Sequence, residues 1–180
     1  MSFSSPRFIA AAALAVGAVF AAAFAQAQTP PIKPGLWEIK QLGGDDRSAQ
    51  MAERMKNMPP DKRAQMEAMM KERGIDITAG GATHVCYDKD SMDISQLDKQ
   101  TTCKTDFSSR TSSAWKWHSV CSQFKSESDG EAVFANAENY TINTKTTSTM
   151  SGQPKTTQRT MQAKWLGGNC GDLKPFSLKR

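Results

Sequence analysis

Two histidines, four cysteines and ten methionines carry most of the chemistry that this 180-residue sequence offers. A nucleophilic mechanism needs a nucleophile, a base and an orienting group within hydrogen-bond reach. His84 and His118 are the two imidazoles available. If residues 102–122 fold as a hairpin, Asp106 lies opposite His118 and can orient its ring, but no G-x-S-x-G marks a serine beside it. These residues read as a solvated cross-strand pair rather than as catalytic machinery. His84 and Cys86 point the same way on a strand, as zinc ligands would, yet two ligands without closely spaced partners do not make a site. The expectation is therefore no catalytic residue, no metal and no cofactor.

The methionines offer a different chemistry. Met51, Met55, Met58, Met66, Met69 and Met70 recur at helical spacing within residues 47–73. Thioethers select Cu(I), so copper handling is one reading, although no histidine accompanies them. Methionine also lines adaptable apolar surfaces. The plainer expectation is an amphipathic helical pair, either packed on a sheet or acting as a lid over an apolar pocket. The last forty residues hold Lys145, Lys155, Arg159, Lys164, Lys174, Lys179 and Arg180 against the single acid Asp172. Such a bias suits anionic envelope components, whereas the absence of interleaved aromatics argues against nucleic acid.

These residues need elements to hold them. In 102–122, polar and apolar residues alternate on either side of a Ser/Thr-rich centre. Folding about Ser112 sets Cys103 opposite Cys121, Thr105 opposite Ser119, Phe107 opposite Trp117 and Ser109 opposite Trp115. The cysteines and aromatics then share one face. That register selects a Cys103–Cys121 disulfide and leaves Cys86–Cys170 by elimination. The chain-entropy model assigns them about 3 and about 4.5 kcal/mol.

Disulfides imply an oxidising compartment, and the N-terminus agrees. Arg7 precedes an apolar run over residues 8–24, and A-x-A sites end at Ala25 and Ala27. We read residues 1–27 as a cleaved signal peptide and 28–180 as one domain. Its charge falls from +5 to about +4 when Arg7 is removed.

Along the domain, residues 34–42 alternate as a first strand after a Pro-Gly turn, and Pro59-Pro60 divides two helices. Residues 75–81 read as a loop and 82–88 as a second strand. Asp90 or Ser91 can cap a short helix to Leu97. Asp129-Gly130 signals a turn between strands at 123–128 and 131–135, with a bulge near Ser122. A last hairpin turns at 151–154, pairing Tyr140 with Trp165, Ile142 with Ala163 and Thr144 with Met161. A polar tail follows from Asp172. The predicted fold is mainly β, a curled antiparallel meander or partly open barrel with an inserted Met-rich helical hairpin at about 47–73.

The PGLWE of residues 34–38, the Met-rich insert ending ERG at 72–74, the VCYD of 85–88 and the WLGGNCGDLKP of 165–175 occur in one order. In these the chain resembles an exported proteobacterial family known as domain of unknown function 3617. The resemblance implies a Gram-negative periplasmic protein and supports the β-rich reading; it implies no catalytic residue.

The resulting expectation is a non-catalytic periplasmic binding module. Trp37, Phe107, Trp115, Trp117, Tyr140 and Trp165 line a pocket beneath Met66 and Met69, which takes an apolar small molecule or partner segment. The alternative is a structural or envelope-stress protein that touches anionic envelope components through its basic C-terminal hairpin.

Overall fold

A computed structural model of the protein describes residues 29–43, 47–94, 102–150 and 152–177. The signal-peptide reading of residues 1–27 lies outside them, as does the end of the short helix expected to reach Leu97. Within them, 88–94 forms turns fixed reciprocally by Asp88 and Ser91: each backbone N–H donates to the other's side-chain oxygen, at 2.8 and 2.7 Å.

The chain order is β1 (Gly35–Gly43), α1 (Arg47–Lys56), α2 (Pro60–Glu72), β2 (Ile75–Ile77), β3 (Thr83–Tyr87), β4 (Cys103–Arg110), β5 (Ala114–Cys121), β6 (Ser126–Asn136), β7 (Asn139–Ser148) and β8 (Lys155–Gly167). All eight strands form one antiparallel sheet in the order β2-β3-β1-β8-β7-β6-β5-β4. β4 to β8 are a meander, and β1 returns to pair with β8 on one side and β3 on the other. The sheet stays open between β2 and β4.

The sheet curls strongly. β3 and β7 are three strands apart, about 14 Å in a flat sheet. Even so, the phenols of Tyr87 and Tyr140 are near enough to perturb each other, and the Trp37 and Tyr140 rings lie 5.0 Å apart. The concave face closes on Trp37, Trp115, Ala132, Phe134, Tyr140 and Ala163, contributed by alternate positions of five strands. Gly35, with φ +130°, allows β1 to start against the backbone of Gly167 and Gly168, which a side chain there would strike.

Several sequence expectations are corrected here. Asp129-Gly130 is not a turn: β6 runs through it, and the chain turns at 122–125 instead, where a bulge was expected. Gly130 is a glycine because the Trp117 ring lies on it, with Nε1 only 2.6 Å from where a Cβ would sit. In the β4–β5 hairpin the pairs from Cys103–Cys121 to Phe107–Trp117 are as expected. A bulge at Ser108 then sets Ser109 against Lys116 and Arg110 against Trp115. In the last hairpin the register is two residues from the expected one: Tyr140 faces Ala163, Ile142 faces Met161 and Thr144 faces Arg159. A shift of two leaves every side chain on its face, so the core is preserved. The supposed loop at 75–81 contains β2, which pairs with β3. The polar tail folds back: Phe176 N–H donates to the Cys86 carbonyl at 2.7 Å, and its ring meets Tyr87 edge-on.

Both disulfides form with the expected pairing. Cys103–Cys121 spans a Cα separation of 4.0 Å, and Cys86–Cys170 spans 5.7 Å.

Candidate functional site

The eight residues expected to line one pocket separate into two groups. The aromatic six come together, but as core. Trp37 is 0 % exposed, Trp115 4 % and Tyr140 7 %, with Phe107, Trp117 and Trp165 packed half-buried against them. Three indoles are fixed by backbone carbonyls: Trp37 donates to Lys33, Trp115 to Thr111 and Trp165 to Pro34. Burial in this cluster pushes the Tyr87 phenol up and the Tyr140 phenol well above the ordinary value.

Met66 and Met69 lie elsewhere. The helices pack against β2 rather than over the aromatic face. α1 is anchored: Ala52 and Met55 are buried, Ala49 sits against Gly81, and the Ser48 and Thr83 hydroxyls are 3.0 Å apart. α2 starts at Pro60, a residue suited to a first turn because its missing N–H would have no helical partner. None of its residues is buried. Its C-terminal end is held by Lys174, which pairs with Glu72 and donates its backbone N–H to the Lys71 carbonyl. Along α2 and the turn that leads into it, Met58, Pro59, Lys62, Gln65, Met66 and Met69 line an open groove of about 440 Å³. Met69 is half exposed at its rim. Three thioethers, a proline ring and the stems of Lys62 and Gln65 give this groove an apolar, deformable lining.

The histidines stand on the convex face. His118 Nδ1 is 2.9 Å from Asp129 Oδ1. Asp106 is its register partner on the other flank, so the hydrogen bond expected with Asp106 goes to Asp129. That bond holds the His118 pKa above its ordinary value, with Glu127 and Asp106 adding to it. His84 Nε2 is 3.9 Å from Glu38, and Glu38 accepts from Lys40 at 2.8 Å, which lowers its pKa. Glu38, Lys40, Gln162 and Lys164 border a polar concavity of about 340 Å³. Cys86 is bonded to Cys170 and is no ligand. Among the described residues, no three His, Cys, Asp or Glu side chains gather as a metal site.

The basic hairpin does not form one charged face. Lys145 and Lys164 are on the convex side, Arg159 is on the concave side beside Thr144, and Lys174 is paired; Lys179 and Arg180 lie outside the described residues.

A family model described as a protein of unknown function, DUF3617, matches residues 32–170. The chain belongs to this family. A Pseudomonas putida relative, "Uncharacterized protein in lpd-3 5'region", is 30% identical over 112 residues, covering 57% of this chain and 77% of the relative. No solved structure matches. The DUF3617 match runs from Ile32, at the edge of the aromatic core, to Cys170, so it includes the whole sheet, both helices and both disulfides. Met58 and Pro59, read from the sequence only as a helical methionine and a helix break, complete the groove with Lys62 and Gln65, which the sequence did not single out. Their signal was the Pro-Pro break itself, which sets the end of α1 beside the start of α2.

Proposed function

We propose that this DUF3617 protein is an exported, periplasmic, non-catalytic binding module whose groove along α2 receives an apolar partner segment. The observation that carries this reading is α2 itself. It has no buried residue, yet it presents Met66 and Met69 beside Met58 and Pro59. An open groove cannot enclose most of a small ligand, as a small-molecule site does, but it fits the apolar side of a peptide laid along it. Lys62 at the groove favours an acidic amphipathic segment. Export is supported by the two disulfides and the apolar leader. The same three thioethers would be the ligands of a Cu(I) site, which Cu(I) titration against a chelator would report.

The test uses Nile red, an uncharged apolar probe. The protein should enhance its fluorescence, and Met66→Lys with Met69→Lys should remove the enhancement without changing Tm or either disulfide. No enhancement by the wild-type protein, or enhancement that survives both substitutions, contradicts the reading.

One observation favours the envelope-contact alternative. Phe124 and Met150 are 47 % and 65 % exposed on neighbouring turns at one end of the sheet. The Ser148 hydroxyl donates to the Phe124 carbonyl and the Thr149 N–H to the Lys125 carbonyl, holding the turns together. Lys125 and Lys155 flank the pair, and the sequence holds no acid at 122–126 or 149–155. That reading requires binding to phosphatidylglycerol vesicles that Phe124→Ser with Met150→Ser abolishes; unaltered binding excludes it.

A further inference from the structure

The concave face changes character along its strands. Next to the aromatic core lies a cross-strand row of Ala132, Ile142, Met161 and Gln41. Two residues further along, the row reads Phe107, Trp117, Gly130, Thr144 and Arg159. Beyond it Thr105, Ser119, Ser128, Thr146 and Thr157 cross five strands as half-buried hydroxyls, with Thr105–Ser119 and Ser128–Thr146 bonded at 3.1 and 2.8 Å. A packed face has no evident need for such a gradient. A ligand with an apolar body and a polar head does.

The middle row contains two donors without acceptors. Three tryptophans donate to backbone carbonyls, but the indole N–H of Trp117 has no acceptor among the described residues. Its ring lies over Gly130, whose register partner on β7 is Thr144. On the far side of Thr144, the Nε of Arg159 is shut off from solvent with no hydrogen-bond partner, and the guanidinium forms no ion pair among the described residues. A buried Nε–H left unpaired is costly, and a planar anion is the natural complement of a guanidinium. Gly130 and Arg159 are two strand spacings apart, about 10 Å, a gap that the arginine side chain and one bound oxyanion fill.

We propose that this row binds the oxyanion of an amphipathic ligand, a carboxylate or phosphate, with Arg159 as charged donor, the Trp117 N–H as neutral donor and Thr144 between them. The apolar body lies along Ile142 and Met161. The site is separate from the helical groove and stands or falls independently of it.

The indole N–H resonances in a proton–nitrogen spectrum read the site directly, because the Trp117 signal is identified by its loss in Trp117→Phe. Titration with octyl phosphate should move that signal and leave the other three in place. Octyl phosphate binding more tightly than inorganic phosphate supports the amphipathic ligand; equal affinity reassigns the site to a free oxyanion. Arg159→Gln should weaken binding at least tenfold while Tm stays unchanged or rises, since it removes an unpaired cation. Thr144→Val should weaken it several-fold and serves as the second variant if Arg159→Gln does not fold. A Trp117 signal unmoved by both phosphates overturns the proposal. So does equal binding by Arg159→Gln, above all if Tm falls, which would make Arg159 a structural residue only.

Discussion

At the scale of single residues, the clearest electrostatic event is the bond between His118 and Asp129. It is fully exposed, so its consequence belongs to titration rather than to a stability figure. A histidine whose folded pKa lies above its unfolded value near 6.5 contributes stability that is fully present below the unfolded pKa. That contribution is lost as pH rises through the folded pKa. The His118 ring should therefore titrate above 6.5 by NMR, and Asp129→Asn should bring it back toward the ordinary value. A midpoint at or below 6.5, or one indifferent to Asp129, contradicts the assignment. The buried tyrosines are shifted in the same direction for a different reason. Tyr87 and Tyr140 resist ionisation because a phenolate inside the aromatic cluster would lose its hydration.

At the scale of elements, β6 shows how a local signal and a longer pattern can disagree. Asp-Gly is a strong two-residue turn signal on its own. Yet Ser126, Ser128, Gly130, Ala132 and Phe134 occupy alternate positions on one face, and small residues there leave room for the indole of Trp117. The strand pattern prevails because breaking β6 would uncover both neighbours. Gly130→Ala should consequently destabilise the protein by about 1–3 kcal/mol through overpacking, measured by denaturant unfolding. A neutral substitution would show that the ring does not rest there. The other departures are of the same kind. The bulge at Ser108 lies on edge strand β4, where an extra residue bends the strand and nothing in the sequence marks it. The two-residue slip of β7 against β8 was invisible because threonines recur on both strands and give no single best match. β2 is only three residues long and owes its existence to pairing with β3.

At the scale of the whole molecule, the sheet is self-sufficient. Its curl lets one face close on its own aromatics, and the two disulfides staple edge strand β4 to β5 and β3 to the C-terminal end. Much of this was legible. The alternation in 102–122 gave the hairpin and, through it, both cysteine pairs. Which aromatics cluster was also legible, since Trp37, Trp115 and Tyr140 sit at the apolar phase of their strands. Whether that cluster is an open pocket or a filled core was not, because it depends on curvature, which no single strand encodes. The same limit separated Met66 and Met69 from the aromatics: helical spacing names the face they share but not what the face meets. The cross-strand meeting of Trp117, Gly130 and Arg159 was likewise hidden until the register was known.

The central claim is that the helical groove is an unfilled surface on a sheet that needs no help from it. Elements with little buried area open at low free energy, whereas core strands open only globally. Hydrogen exchange of the disulfide-bonded protein, with and without the uncharged probe Nile red, measures this directly. In the free protein α2 should exchange much faster than β1, β7 and β8, and the probe should slow exchange in α2 while leaving the sheet unchanged. If α2 is as protected as β8 without the probe, or the probe alters only the sheet, the methionines are core residues and the groove is not a binding surface.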